Sequence, residues 1–417
     1  MPKKLSGLWR HADFLRLWSG QTVSVFGSMV GRTAMSFTAI LFLRATPFQM
    51  GLLNAAELAP GFLAGLFAGA WVDRLRRRPL LIGADLARAL VLFSIPLAAL
   101  LGVLHIEQLY VVALLISILS IIFNVAYQSY LPGLIDKKNI VEGNSKLTAS
   151  AAVAETGGFS IGGWLVQIFT APFAILIDAV SFLVSAVSIS LIRSRESEAP
   201  APAENTSLQK EIIAGLQLVF SQPLLKAGAV SVLLQSLSSG IFGALVVLYM
   251  SRGLGFNPGL LGVIWAVGGI SSFLGAAFAP RITALFGSGL VMVLGLGIFG
   301  LSNLFVPFAS GVTFISALFL VIQQLGDGFY VLYDINLVSM VQVLVDERML
   351  GRVNATMQMI ALGASLLGAL LGGVMGQFIG VRISLFIASA GTLLAALILA
   401  GSPLRSLKTA SEPGSQL

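Results

Sequence analysis

Apolar runs of about 20 residues recur along this chain and leave little sequence between them. Coiled as an α-helix, a run of that length crosses the hydrocarbon core of a bilayer with all its backbone groups hydrogen-bonded internally. Of the 417 residues, 57% are hydrophobic and only 10% are charged, which is more apolar surface than a soluble core can bury. The sequence therefore predicts an all-α integral membrane protein.

The spacing of the apolar runs predicts twelve transmembrane helices in two six-helix, pseudo-symmetric bundles. The runs lie near residues 14–42, 49–72, 79–103, 108–131, 145–169, 173–192, 225–250, 258–280, 286–308, 312–342, 353–379 and 382–403. A polar, proline-rich connection after Arg193 divides them. The predicted parts are 1–192 (first bundle), 193–223 (cytoplasmic linker), 224–404 (second bundle) and 405–417 (cytoplasmic tail).

Lysine and arginine are concentrated in alternate loops. With a cytoplasmic N-terminus, only Arg44, Arg252 and Arg382 lie in the outer loops, and nearly all other basic residues are cytoplasmic. By the positive-inside rule we expect a multi-pass protein of the cell (inner) membrane with both termini cytoplasmic. In the linker, Leu208, Ile212, Leu216 and Val219 recur at helical spacing, which predicts an amphipathic helix over 207–220 on the cytoplasmic membrane surface.

The two halves repeat each other with an offset of 210 residues. The shift places Asp136 over Asp346, and Gly162-Gly163 over Gly372-Gly373. It also places Asp73 over Thr283, so the charged turn that contains Asp73 is present in the first half only. A parallel repeat of six plus six spans is the plan of the major facilitator transporters.

The turn after span two, Gly69-Ala-Trp-Val-Asp73-Arg74-Leu-Arg76-Arg77-Arg78, resembles the signature loop of the major facilitator superfamily, with Arg76 where glycine is usual. Three further stretches resemble the branch of drug:proton antiporters that contains macrolide-efflux and enterobactin-exporter proteins. They are Leu8-Trp9-Arg10-His11, Asp178-Ala-Val-Ser181-Phe182 and Gly351-Arg352-Val353.

The resemblance implies a secondary transporter that works by alternating access and a latch between spans two and eleven. The residues that match the latch or its network are Gly69, Asp73, Arg74, Arg77, Arg78 and Arg88. Span five resembles the glycine-rich antiporter motif, with Phe159 in place of proline. Close helix packing is the alternative reading of its glycines, Gly158, Gly162 and Gly163.

Ionisable residues inside spans are candidates for proton coupling, because each costs about 2.5–3.5 kcal/mol at the centre of a membrane helix. Arg32 in span one and Glu57 in span two lie at similar depths, about 15 and 12 Å from the outer face, and we expect them to form an ion pair that is either switchable or permanently structural. Asp327, near mid-membrane in span ten, is a second proton carrier or a carboxyl bound to nearby amides. Asp178 and Asp334 are predicted to be interfacial.

Several amides fall within the spans of this chain. They offer hydrogen bonds to a substrate in an otherwise apolar cavity or, alternatively, to neighbouring helices. The candidates for the substrate cavity are Asn124, Gln128, Gln235, Gln323 and Gln324.

The sequence contains no enzyme signature. It has no cysteine, two histidines and no nucleotide-binding loop, so we expect no catalysis, cofactor or metal. The predicted function is proton-coupled efflux of amphipathic small molecules, with protons, a small-molecule substrate and membrane lipids as partners. We expect a monomer that binds no nucleic acid. The alternatives are proton-coupled uptake of a specific solute, a lipid flippase, and a sensor on the same fold that does not transport.

Overall fold

The computed structural model describes residues 7–64, 76–136, 139–194 and 208–407. Within these ranges the chain is helical and contains no β-strand. Large apolar side chains cover the outside of the helices; Leu90, Phe273 and Phe378, for example, are 73%, 71% and 83% exposed. Such a surface suits contact with lipid tails rather than with water.

Twelve long helices follow one another in the described ranges, with a shorter linker helix at Leu208–Ser221. They are α1 Ala12–Phe37, α2 Pro47–Ala64, α3 Arg77–Leu100, α4 Ile106–Leu134, α5 Ile140–Phe169, α6 Ala171–Ser190, α7 Pro223–Leu248, α8 Pro258–Phe286, α9 Ser288–Asn303, α10 Phe314–Leu344, α11 Glu347–Phe378 and α12 Val381–Ala400. Ten of the described helices are long and apolar enough to cross a membrane. The helices α2 and α5 are the other two, so the count of twelve spans stays a prediction.

The internal repeat extends to backbone details. A π-helical turn follows α1 at Thr38–Phe42, and another follows α7 at Tyr249–Gly253. Two residues after each turn comes a residue with positive φ, Arg44 in the first half and Gly255 in the second. The loops after α5 and α11 show the same relation, with Thr170 at φ 63° and Gly380 at φ 90°. Two copies of one helical plan account for these matches.

The chain forms two compact units, and each takes a short segment from the opposite half of the sequence. Unit 1 comprises Met1–Ala45, Ala56–Glu204 and Asn257–Val263, and unit 2 comprises the remainder, including Thr46–Ala55. In unit 1 the start of α8 packs on α5, where Gly262 lies against Gly163. Small residues let these backbones approach closely.

Unit 2 contains the corresponding contact, in which Gly51 of α2 lies against Gly373 of α11. Each unit also has an apolar core. In unit 1, Leu17, Leu81 and Phe123 belong to this core. In unit 2, Met292 and Tyr333 do.

A helix forms at Leu208–Ser221, where the sequence predicted one, and its second half packs in part on protein. Val219 is fully buried in the core of unit 2. Gly215 lies against Thr356 and the carbonyl of Arg352, in the first turns of α11. Protein therefore covers part of this helix, while Ile213 and Phe220 are 52% and 48% exposed, and the placement on the membrane surface stays a prediction.

Candidate functional site: a charged cavity in unit 1

A cavity of about 420 Å³ lies among α1, α2, α3, α4 and α6 of unit 1. One face of α1 forms its longest wall, because Gln21, Ser28 and Arg32 recur at helical spacing along it. On the opposite side the wall includes Asn124 of α4. Four charged side chains also line the cavity, which is unusual inside a membrane bundle. They are Arg32, Glu57, Arg88 and Asp178.

Arg32 and Glu57 line the same cavity, and Arg32 is within electrostatic range of Glu57. Among the described residues, however, no ion pair within 4.0 Å joins them. Arg32 lies within electrostatic range of a second acid, Asp178, as well. The guanidinium is therefore shared between two carboxylates, and it is not locked to the acid that the sequence predicted as its partner.

Asp178 was predicted to be interfacial, and the structure corrects this. It is the eighth residue of α6, only 4% exposed, and its Oδ1 accepts hydrogen bonds of 3.3 Å from the hydroxyls of Ser28 and Ser181. Space for it comes from α1, where a Cβ on Gly31 would overlap the Asp178 carboxylate and one on Gly27 would overlap Ser181. The signal in the sequence was the pair of glycines four residues apart, which faces the serine and the acid of α6.

Asp85 and Arg88 form an ion pair one turn apart on α3, with both side chains buried. The guanidinium of Arg88 also lies over the rings of Phe123 and Phe182, 4.3 and 4.1 Å from their centroids. Such cation–π contacts stabilise a desolvated arginine. Family resemblance assigned Arg88 to the network of the basic turn. Most of that turn lies outside the described residues, so this assignment stays a prediction; Arg88 itself lies eleven residues into α3, about 16 Å from its start, and lines the cavity.

These side chains form a row of alternating charge. Arg32 lies in range of Glu57 and Asp178, and Arg88 lies in range of Asp178 and Asp85. Three carboxylates thus face two guanidiniums among the side chains described here. One carboxylate has no counter-charge, and burying an unpaired charge is costly. The cluster can lower this cost by binding one proton or one cation.

The other predicted latch residues fall in the basic turn before α3, which the structure describes only in part. Gly69, Asp73 and Arg74 lie outside the described residues. Arg77 is the first residue of α3, and Arg78 donates a 2.6 Å hydrogen bond to the carbonyl of Ser190 at the end of α6.

The glycines of α5 make contacts on two sides. Gly158 lies against Met29 of α1, and Gly162 lies against Val30 and Thr33. Gly163 contacts the start of α8, as described above. Each of these glycines stands where a larger side chain would meet a neighbouring helix.

The predicted polar residues do not converge on one cavity. In unit 1, Asn124 lines the charged cavity, whereas Gln128, one turn further along α4, is exposed and is not part of its wall. In unit 2, the Gln235 amide donates to Ser239 one turn away on α7. Gln323 and Gln324 are buried on α10, close to Asp327. The amides therefore divide between the two units.

Thr283, which corresponds to Asp73 in the repeat, makes a contact of its own. Its hydroxyl donates a 3.0 Å hydrogen bond to Asn336 of α10. Within unit 2 this neutral pair joins α8 to α10.

Comparison with known proteins agrees with this architecture. A sequence family described as "Transmembrane secretion effector" (MFS_3) matches residues 5–416. The MFS-type transporter YfiS of Bacillus subtilis is 29% identical over 96% of this chain and 97% of its own length. The multidrug efflux pump Tap of Mycolicibacterium fortuitum is 24% identical over 93% of this chain and 95% of its own length.

Among solved structures, a mutant of the nucleoside transporter NupG superposes with a TM-score of 0.76 at 14% identity, covering 94% of this chain and 99% of that one. At such low identity the superposition supports the fold and not the substrate. The family match extends over nearly the whole chain. The protein therefore belongs to the major facilitator superfamily and is a multi-pass membrane transporter of that type.

Proposed function

We propose that this transporter exports amphipathic small molecules in exchange for protons, by alternating access, with both termini on the cytoplasmic side of the inner membrane. The observation that carries the proposal is the cluster in unit 1, where three carboxylates face two guanidiniums. Ionisable groups inside membrane spans are costly and mark ion pathways and proton relays, so an unbalanced cluster of this kind supports proton coupling.

The geometry limits where the proton binds. Asp85 is held by Arg88 in a buried ion pair. Glu57 and Asp178 are left to share Arg32, with one negative charge in excess. Protonating either acid frees Arg32 to approach the other, so the proton belongs to the pair rather than to one residue.

Such a switch moves a helix contact as well as a charge, because Glu57, Arg32 and Asp178 lie on α2, α1 and α6. Coupling then requires that protonation favour one conformation over another. Similarity to the multidrug pump Tap supports export as the direction, and the apolar character of the spans suits amphipathic compounds. The resemblance to macrolide and siderophore exporters defines the first substrates to try.

A proteoliposome assay with an imposed pH gradient tests the proposal. The panel contains cationic and neutral dyes, macrolides and siderophores. We expect at least one compound to move against its gradient when protons flow the other way, and we expect the movement to stop when an ionophore collapses the pH gradient. A transport rate that is the same for a pH gradient imposed in either direction, and without one, would refute proton coupling.

A further inference from the structure

A groove of about 730 Å³ lies between α1 and α5 of unit 1 and shares no wall residue with the charged cavity. Trp9, Trp18 and Lys146 line one end of it, which we call the mouth. The hydroxyls of Thr22 and Ser150 are bonded to backbone carbonyls of their own helices. The rest of the wall is apolar and consists of Val23, Phe26, Ala149, Val153, Ala154, Gly157 and Ile161.

The groove exists because the two helices touch at one level and part toward their starts. Gly158 of α5 lies against Met29 of α1, so the helices are in contact there. The preceding residue, Gly157, lines the groove, and a Cβ there would meet nothing within 4 Å. Lys146 and Trp18 precede the contact by about 18 and 17 Å along their helices. The groove is therefore about as long as the hydrocarbon layer of one leaflet is deep, roughly 15 Å.

The groove opens on the surface that faces lipid. Val153 of α5 and Val23 of α1, on its two sides, are 74% and 42% exposed. An apolar cleft that stayed empty would forfeit dispersion contacts along its whole wall. In a bilayer the molecules at hand to fill it are acyl chains, so the headgroup is what the mouth can select.

The mouth combines aromatic rings with a positive charge. The rings of Trp9 and Trp18 meet edge to face, with centroids 5.1 Å apart. Tryptophan is enriched at the level of lipid headgroups. The ammonium group of Lys146 lies 3.9 Å from the centroid of the Trp9 ring and 3.2 Å from the carboxylate of Glu142. That carboxylate also accepts the amide N–H of Leu8, so its charge is shared.

The charges at the mouth favour an anionic headgroup. An ammonium group has three N–H donors, and Glu142 occupies one donor of Lys146. Arg10 follows Trp9 in the chain, is exposed, and forms no ion pair with the described part of the chain. Two cations thus stand beside one carboxylate. Basic pockets between membrane helices bind anionic lipid headgroups.

We propose that this groove binds a phospholipid with an anionic headgroup. One acyl chain lies between α1 and α5, and the headgroup accepts a hydrogen bond from Lys146 beside the rings of Trp9 and Trp18. With the proposed orientation of the chain, this lipid belongs to the inner leaflet. The site does not depend on what the protein transports or on proton coupling.

Native mass spectrometry of the purified full-length protein in detergent tests the proposal. Phosphatidylglycerol and phosphatidylcholine with identical acyl chains are titrated separately. One basic residue near an anionic headgroup contributes about fivefold in affinity, so Lys146→Gln should weaken phosphatidylglycerol binding about fivefold and phosphatidylcholine binding less than twofold. Lys226→Gln, at the exposed start of α7, is the matched control.

A second variant tests the groove without changing any charge. Gly157→Leu places an isobutyl group in the open space and should weaken phosphatidylglycerol binding about 10-fold. Gly243→Leu on α7 is its control, because a Cβ there also meets nothing within 4 Å. Melting temperatures check that all four variants are folded.

Equal affinity of the wild-type protein for the two lipids would overturn the proposal, and so would equal effects of Lys146→Gln and Lys226→Gln. Phosphatidylglycerol binding that Gly157→Leu leaves unchanged would contradict the groove as its place. A dimer in the same spectra that Gly157→Leu abolishes would assign the groove to a contact between two copies and would also overturn the proposal. Because no transport is measured, these outcomes are separate from those of the proteoliposome assay.

Discussion

In the first half of the chain, Gly27 of α1 faces Ser181 of α6, whereas in the second half Ser238 of α7 faces Gly391 of α12. These positions correspond through the repeat, with offsets of 211 and 210 residues. Each contact pairs one glycine with one serine, but the helix that carries the serine has changed. This helix contact thus requires one glycine and one serine, and either helix can carry either residue.

The same comparison separates charge from packing. At the same offsets of 211 and 210 residues, Arg32 corresponds to Gly243 and Asp178 to Ala388. The second half therefore makes the α7–α12 contact without the charges that its counterpart carries. The fold of this helix pair does not by itself require the charges, which is consistent with the proposed role of the unit 1 cluster in coupling.

One acid, like the serine, lies on different helices of the repeat in the two halves. In unit 1, Glu57 of α2 meets Ser117 of α4, whose hydroxyl donates a 2.8 Å hydrogen bond to the Glu57 carbonyl. In unit 2 the corresponding positions are Gly268 and Asp327. Each half keeps one carboxylate at this contact, but only the carboxylate of unit 1 has an arginine in range.

The largest effect is expected from neutralising the cluster of unit 1. Asp178→Asn leaves two carboxylates facing two guanidiniums, so no proton is needed to balance the charge. Proton-driven transport should fall by about 100-fold, while the amount of folded protein in the membrane is unchanged. Initial rates in proteoliposomes measure this effect. Full activity of Asp178→Asn would contradict the role of the cluster.

A smaller loss is expected from removing the space that α1 provides. Gly31→Ala places a methyl group against the Asp178 carboxylate and should lower the free energy of unfolding by about 1–3 kcal/mol, with a parallel loss of transport. Gly243→Ala on α7 is the control, because a Cβ there meets nothing within 4 Å. Thermal unfolding in detergent gives the melting temperature of each variant. Equal melting temperatures of Gly31→Ala and Gly243→Ala would contradict the claim that the first half packs more tightly at this position.

The smallest effect concerns the loops after α5 and α11. Thr170 has φ 63° and ψ 155°, a conformation that suits glycine, and its counterpart is Gly380. Thr170→Gly should raise the free energy of unfolding by about 1 kcal/mol, and Gly380→Thr should lower it by about 1–3 kcal/mol. Melting temperatures measure both. A Thr170→Gly protein that is less stable than wild type would show that the side chain of Thr170 outweighs the backbone strain.

The sequence predicted the elements better than their contacts. Apolar runs located the long helices, since a membrane span must satisfy its backbone internally. The sequence predicted that the halves repeat each other, and the matching π-helical turns at Thr38–Phe42 and Tyr249–Gly253 agree with that repeat. The depth of Asp178 was missed, because the space for it exists only once Gly27 and Gly31 of α1 pack against α6. The burial of Val219 was missed for the same reason, since α11 supplies its environment.

The assignment of the coupling proton to unit 1 can be tested most directly by counting protons when a substrate binds. Ethidium is added to unbuffered, detergent-solubilised protein near neutral pH, and a pH indicator dye reports proton release. The account predicts release of about one proton per wild-type molecule, because linked binding of one ligand changes the binding of the other. Asp178→Asn should bind ethidium and release none. Undiminished release from Asp178→Asn would contradict the assignment of the coupling proton to unit 1.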